Sequence, residues 1–220
     1  MSAHRFLFTI CVLLALVMGG CASQPAGPAG GLAYNGPSEQ TVLRGQKLPG
    51  TDIQFIGQSA DGAQMLIGSQ SATKKTGDSL NWSGSLVPGA QVALALRILN
   101  SDDQRLIAAG TVRITLDAVS PAETAFPAKP LYTYKALPVV YHIAKGSTIP
   151  GTTLSYDGKT NDGAHLIGGT GFAYFRLGDS IAWHGRLRPG VYTDQTLRVL
   201  AYTDSFLDVT GLATIGLTAE

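Results

Sequence analysis

Slid against itself by 101 residues, the chain matches without a gap. RGQKLPGTDIQFIGQSADGAQMLIG (44–68) lies over KGSTIPGTTLSYDGKTNDGAHLIGG (145–169). TGDSLNWSGSLVPG (76–89) lies over LGDSIAWHGRLRPG (177–190), and LRILNSDDQRLIAAGTVRITL (96–116) over LRVLAYTDSFLDVTGLATIGL (197–217). Pro37 meets Pro138 at the front, so each unit is about 80 residues long. A repeat of this kind constrains the architecture before any single residue is interpreted, because both copies must be satisfied by one fold. The expectation is two tandem units, 37–116 and 138–217, joined by 117–137 and closed by a tail at 218–220. Pairing of the two copies into one larger sandwich is the alternative.

Within each copy the apolar residues recur with period two. Leu80, Trp82 and Leu86 share a face, as do Ile181, Trp183 and Leu187. Val92, Leu94, Leu96 and Ile98 alternate with Ala93, Ala95 and Arg97, and Val112, Ile114 and Leu116 close the unit. Asp61-Gly62 and Asp162-Gly163 stand between apolar runs as hairpin signals. Pro88-Gly89 and Pro189-Gly190 suit a type II turn, with Pro setting φ at one position and Gly accepting φ > 0 at the next. No stretch sustains a 3.6-residue period with caps. The fold class predicted is therefore all-β, two tandem homologous β-sandwich or small-barrel domains. Each would bury somewhat over roughly 60% of its unfolded surface, a modest core. Pro121, Pro127 and Pro130 mark 117–137 as a semi-stiff linker.

Ahead of the repeat, His4 and Arg5 precede an almost wholly apolar run from Phe6 to Met18. It falls short of the roughly 20 residues a helix needs to cross a bilayer and has the length of a signal-peptide core. The run ends Met18-Gly19-Gly20-Cys21. This segment resembles a bacterial lipoprotein signal with its lipobox, Met18 standing where leucine is usual. The resemblance implies that signal peptidase II removes residues 1–20 and that Cys21 is acylated as the mature N-terminus. An ordinary secretory signal or a short anchor is the alternative. Residues 22–37, ASQPAGPAGGLAYNGP, are small and rich in Pro and Gly, so 21–36 reads as the lipidated end and a flexible tether. The partner implied is a membrane reached through lipid. Ala22 after the cysteine implies the outer membrane where a cell has one, and otherwise the cell membrane, facing the periplasm or exterior.

Charge and cysteine usage then exclude several functions. Of 16 Lys and Arg only Arg5 precedes Cys21, which leaves the mature part balanced against 15 Asp and Glu. Nucleic acid needs clustered basic residues, and none are seen. Cys11 lies in the signal and Cys21 is consumed by lipid, so no cysteine remains for a disulfide, a zinc site or a thiol nucleophile.

The letters Gly77-Asp78-Ser79-Leu80 and Asp162-Gly-Ala-His165 resemble the serine and Asp/His blocks of GDSL esterases. That resemblance implies a Ser79–His165–Asp162 triad, which needs hydroxyl, imidazole and carboxylate in hydrogen-bond reach. It also implies an α/β fold, against the all-β reading. Ser79 further has a twin in Ser180, and His165 has Gln64 at its matching position. The letters are read as a turn entering a strand, with Asp78 or Asp179 bonding local backbone. His142, His165 and His184 lack metal-ligand spacing, and YDGKTNDG lacks the spacing of a calcium loop. No catalytic residue, metal or cofactor is predicted.

What distinguishes the copies is aromatic. FAYFR (172–176) replaces SATKK (71–75), and Gln91, Ser101 and Arg105 become Tyr192, Tyr202 and Phe206, with Gln40 becoming Tyr141. Trp82 and Trp183 are matched and read as core. Phe172, Tyr174, Phe175, Arg176, Tyr192, Tyr202 and Phe206 are the candidate binding residues, since an exposed aromatic stacks on sugar or anchors a protein partner at small entropic cost. The competing reading packs Phe172, Tyr174 and Phe175 against the other domain or against Tyr132 and Tyr134. The function expected is a membrane-anchored envelope binding module for a protein or glycan partner, acting through residues 138–217. A structural scaffold without small ligand is the alternative, and a GDSL-type esterase the remotest.

Overall fold

Alternating burial builds the strands. In Ala90–Ser101 the odd and even side chains divide cleanly, Val92, Leu94, Leu96 and Ile98 inward and Ala93, Ala95 and Arg97 outward. A computed structural model describes residues 30–219, an all-β arrangement of antiparallel sheets. One sheet has the order β1 (Leu32–Leu43), β7 (Arg105–Leu116), β6 (Ala90–Ser101), β5 (Ser79–Val87). Beside it β2 (Ile53–Ser59), β3 (Gly62–Ile67) and β4 (Gln70–Lys74) form a three-stranded sheet. The later sheets are β8 (Ala122–Glu123), β13 (Ser180–Arg188), β14 (Val191–Tyr202), β15 (Phe206–Leu217), β9 (Tyr132–Ala144), and β10 (Ser155–Lys159), β11 (Ala164–Ile167), β12 (Tyr174–Phe175), each in that spatial order.

Strands β13, β14 and β15 begin and end 101 residues after β5, β6 and β7. Register shifts between Phe55/Gly57, Ser85/Val87 and Ile98/Asn100 have counterparts between Tyr156/Gly158, Arg186/Arg188 and Val199/Ala201. A β-bulge is a local solution to bending a particular pair of strands, so matched positions mean matched curvature. Two differences stand out. The edge of β13 is covered by β8, through Gly185↔Glu123 and Arg186↔Ala122, whereas β5 has no such neighbour among the described residues. And β12 pairs over two residues where β4 pairs over five.

The expected signal peptide, Cys21 and the first part of the tether lie outside the described residues, as does Glu220. The remainder of the tether does not behave as one. Strand β1 begins at Leu32, five residues ahead of the expected boundary at 37, and Tyr34 is fully buried. Leu32 and Tyr34 sit opposite Leu116 and Ile114, so two apolar side chains in a Gly/Pro-rich surrounding suffice to extend the ladder. The expected linker 117–137 is also structured. It contributes β8, the Ser120 N–H donates to Leu187 O at 2.8 Å, and β9 begins at Tyr132.

The buried side chains of both halves form one contiguous cluster. The junction runs along β1 and β9, where Gly36 lets the chains approach: a Cβ there would lie 2.7 Å from Leu137 Cδ2 and 3.1 Å from its Cα. Arg188 of the later half also donates to the carbonyls of Gly89 and Asp117.

Three tyrosines at this junction, Tyr34, Tyr134 and Tyr141, are buried. Burial first, and then the neighbouring Tyr141 phenol, raises Tyr34 well above its ordinary value. Tyr134 is pushed up to about 12 by burial and then by Tyr132, and burial raises Tyr141 as well. An unfolded chain ionises tyrosine near pH ~10, so above that pH the unfolded state holds fewer protons than the native one. The stability these groups supply is complete below about pH 10 and is lost as the pH rises toward the native values. Melting temperature is expected to fall steeply between about pH 10 and 12. The Tyr34→Phe/Tyr141→Phe double variant should fall less steeply, and an identical slope would contradict the assignment.

Candidate functional site

The site is a consequence of one broken hairpin. In the earlier half β3 and β4 close tightly, with Ile67 opposite Gln70 across Gly68-Ser69. In the later half pairing stops after His165↔Tyr174, apart from the Leu166 N–H donating to Ala173 O at 2.8 Å. Between them Gly168-Gly169-Thr170-Gly171-Phe172 leaves the ladder. Glycine weakens a strand because it brings no side chain to pack and the most backbone entropy to lose. Gly168 is required where it is: at φ 89° a Cβ would lie 2.2 Å from Thr153 O.

The departing loop opens a pocket of about 290 Å³ against β13. Leu154, Leu166, Ile181 and Trp183 line its apolar side, and Phe172 and Phe175 line the loop side. Glu123 from β8 stands at the rim, and Thr170 Oγ1 donates to Glu123 Oε1 at 2.8 Å, tying the loop to the sheet edge. Trp183 is held by its Nε1–H donating to Thr153 Oγ1 at 3.1 Å. A space of this size and lining suits a small ligand or a single inserted side chain.

Three of the expected binding residues meet here. Phe172 is 74% exposed, with its ring edge-on to Tyr174 at 6.2 Å and to Phe175 at 5.8 Å. Tyr174 and Phe175 are successive on β12 and so point to opposite faces. Phe175 turns to the pocket, while Tyr174 stacks on the His165 ring at 4.8 Å. These rings pack on one another, and the junction of the halves is built elsewhere, by β1 and β9.

The remaining candidates do not converge with them. Arg176 is tied to the neighbouring turn, its N–H donating to Asp179 Oδ2 at 2.7 Å and its Nε–H to Asp162 O at 3.3 Å. Tyr192 and Tyr202 lie near opposite ends of β14, ten residues and about 33 Å apart at the usual strand rise. Phe206 starts β15, with its ring 5.0 Å from that of His142. The seven residues therefore form no single face.

The chain matches no protein-family model, no curated protein and no solved structure. Glu123, Thr170 and the glycines were not among the residues singled out from the sequence. The glycines carry a readable signal, because GGTG (168–171) stands where the other copy has IGSQ (67–70). Trp183, read as core, is 3% exposed and also lines the pocket.

The Gly-Asp-Ser-Leu letters form a turn in both halves. Asp78 Oδ2 accepts the Lys75 N–H at 2.8 Å, as Asp179 Oδ2 accepts that of Arg176. Ser79 begins β5 opposite Arg97, exposed. His165 sits on β11 in a different sheet, and its Nδ1 pairs with Asp157 at 3.0 Å rather than with Asp162. His142 Nδ1 makes a similar pair with Asp208 at 2.5 Å across β9 and β15. Among the described residues no three His, Cys, Asp or Glu side chains gather as metal ligands.

Proposed function

We propose that this chain is a lipid-anchored envelope lipoprotein whose later half is a non-catalytic binding module, with the pocket under loop 168–173 as its binding site. One observation carries the reading: a hairpin that is sealed in one half is open in the other, and the opening is lined by Phe172, Phe175 and Trp183. Phe172 is 74% exposed at the mouth of this pocket, and an exposed aromatic ring beside an apolar space is suited to binding. The matched strand limits and bulges support a head-to-tail duplication of one β unit, which supplied a second copy free to diverge. The Phe6–Met18 run ending at Cys21 supports the anchor; several acyl chains, at about 0.8 kcal/mol per buried CH₂, hold a chain firmly.

A paired experiment tests both parts. Cys21→Ser is expected to abolish incorporation of labelled palmitate and to move the chain to the soluble fraction. Phe172→Ala, at an exposed position, should stay lipidated and keep its melting temperature while losing capture of its partner from envelope extracts. Unchanged fractionation in the first, or unchanged capture in the second, counts against the corresponding part.

A further inference from the structure

We propose that the pocket under loop 168–173 takes an organic cation, an alkylammonium or guanidinium head of modest size. The inference rests on the binding reading above and names its ligand class. Glu123 is the one charged side chain lining the pocket, and no Lys, Arg or His accompanies it. Its Oε1 is held by Thr170, and it enters no ion pair among the described residues. The carboxylate is therefore oriented while Oε2 stays available. Phe172, Phe175 and Trp183 line the same space, and aromatic rings attract positive charge, as in the sites that hold quaternary ammonium groups.

Other ligand classes fit less well. An anion would face an uncompensated carboxylate. A neutral sugar needs several converging hydrogen-bond partners, and Thr170, the other polar side chain present beyond the Trp183 indole, already donates to Glu123. Arg176, just beyond the loop, directs its Nε–H to Asp162 O, and Arg186, which pairs with Ala122 beside Glu123, forms no ion pair with it among the described residues. The volume of about 290 Å³ admits one such head rather than an extended chain.

The test uses the full chain in a non-ionic detergent, followed by amide signals of Gly169 and Gly171 and the Trp183 indole N–H. The probes are choline, its uncharged isostere 3,3-dimethyl-1-butanol, n-butylammonium, n-propylguanidinium and methyl β-glucoside. Saturable shifts with at least one cation are expected, at least tenfold tighter than with the isostere. Glu123→Gln, which keeps the shape and the acceptor for Thr170, should weaken that cation at least tenfold without lowering the melting temperature. Preference for choline would indicate a free quaternary amine as the source, and preference for n-butylammonium or n-propylguanidinium a Lys or Arg side chain of a protein partner. Equal binding of choline and its isostere, or glucoside binding indifferent to Glu123→Gln, would overturn the cation and leave the binding pocket standing. Silence toward every probe, together with unchanged capture by Phe172→Ala, would overturn both.

Discussion

Truncating Tyr34 to alanine is expected to cost about 3–5 kcal/mol of unfolding free energy, the range for deleting a fully buried aromatic ring. For a chain of this length that corresponds to a melting-temperature loss of roughly 10 °C. The reason lies in where the ring goes. Tyr34 pairs through its backbone with Ile114 in its own sheet, but its side chain reaches into the later half. A Cβ on Gly151 would lie 2.7 Å from the Tyr34 hydroxyl oxygen and 2.8 Å from Gln195 Nε2. Removal would leave a hole lined by the Tyr141 hydroxyl, Thr193 and Gln195, whose buried oxygens already lack hydrogen-bond partners in the protein. Tyr34→Phe separates the two contributions. It keeps the ring and removes a hydroxyl that also lacks a partner, so it should be near neutral at pH 7. Chemical denaturation of the three forms checks this. A Tyr34→Ala variant as stable as the parent would mean that the junction of the halves contributes little to folding.

Tyr34 plays a part that the sequence does not display. It stands among Gly, Ala, Asn and Pro, where composition points to a tether, and its hydroxyl lies by Tyr141, Gly151 and Gln195, more than a hundred positions away. Local pattern cannot register such a contact. By contrast, the strands of both halves were legible, because period-two alternation and turn chemistry are local. Gly89 and Gly190, read as turn residues, have φ of 68° and 70°. Val92 through Ile98 face the core in the predicted alternation.

The site was legible in part for the same reason. Substitution of SATKK by FAYFR marked Phe172, Tyr174 and Phe175 correctly as neighbours, since they are close in sequence. Grouping them with Tyr192, Tyr202 and Phe206 failed, because common direction of change between copies says nothing about common face. Glu123 reaches the pocket by a two-residue pairing at a sheet edge, which leaves no periodic trace. The glycines of 168–171 were visible but mean little until the ladder they interrupt is known.

The largest effect on binding is expected from undoing that interruption. Replacing GTGFA (169–173) by the other copy's GSQSA (68–72) removes Gly171 and Phe172 and restores residues that, in the earlier half, pair up to Ile67↔Gln70. The graft supplies strand-compatible side chains in place of glycine, so the β11–β12 ladder should lengthen past its present two pairs, as far as Ile167. Closing the hairpin fills the space beneath it and deletes the exposed Phe172 ring, while the sheets that set the fold are untouched. Melting temperature should therefore hold or rise slightly, because no core side chain is removed. Gly168, with its obligatory positive φ, is left in place.

The decisive measurement is a cation titration of this graft beside the parent chain, followed at the Trp183 indole. The account predicts a saturable shift in the parent and none in a graft that melts at the same temperature or above. A graft that folds and responds like the parent would show that binding, if present, does not depend on the opened hairpin, and would contradict the account.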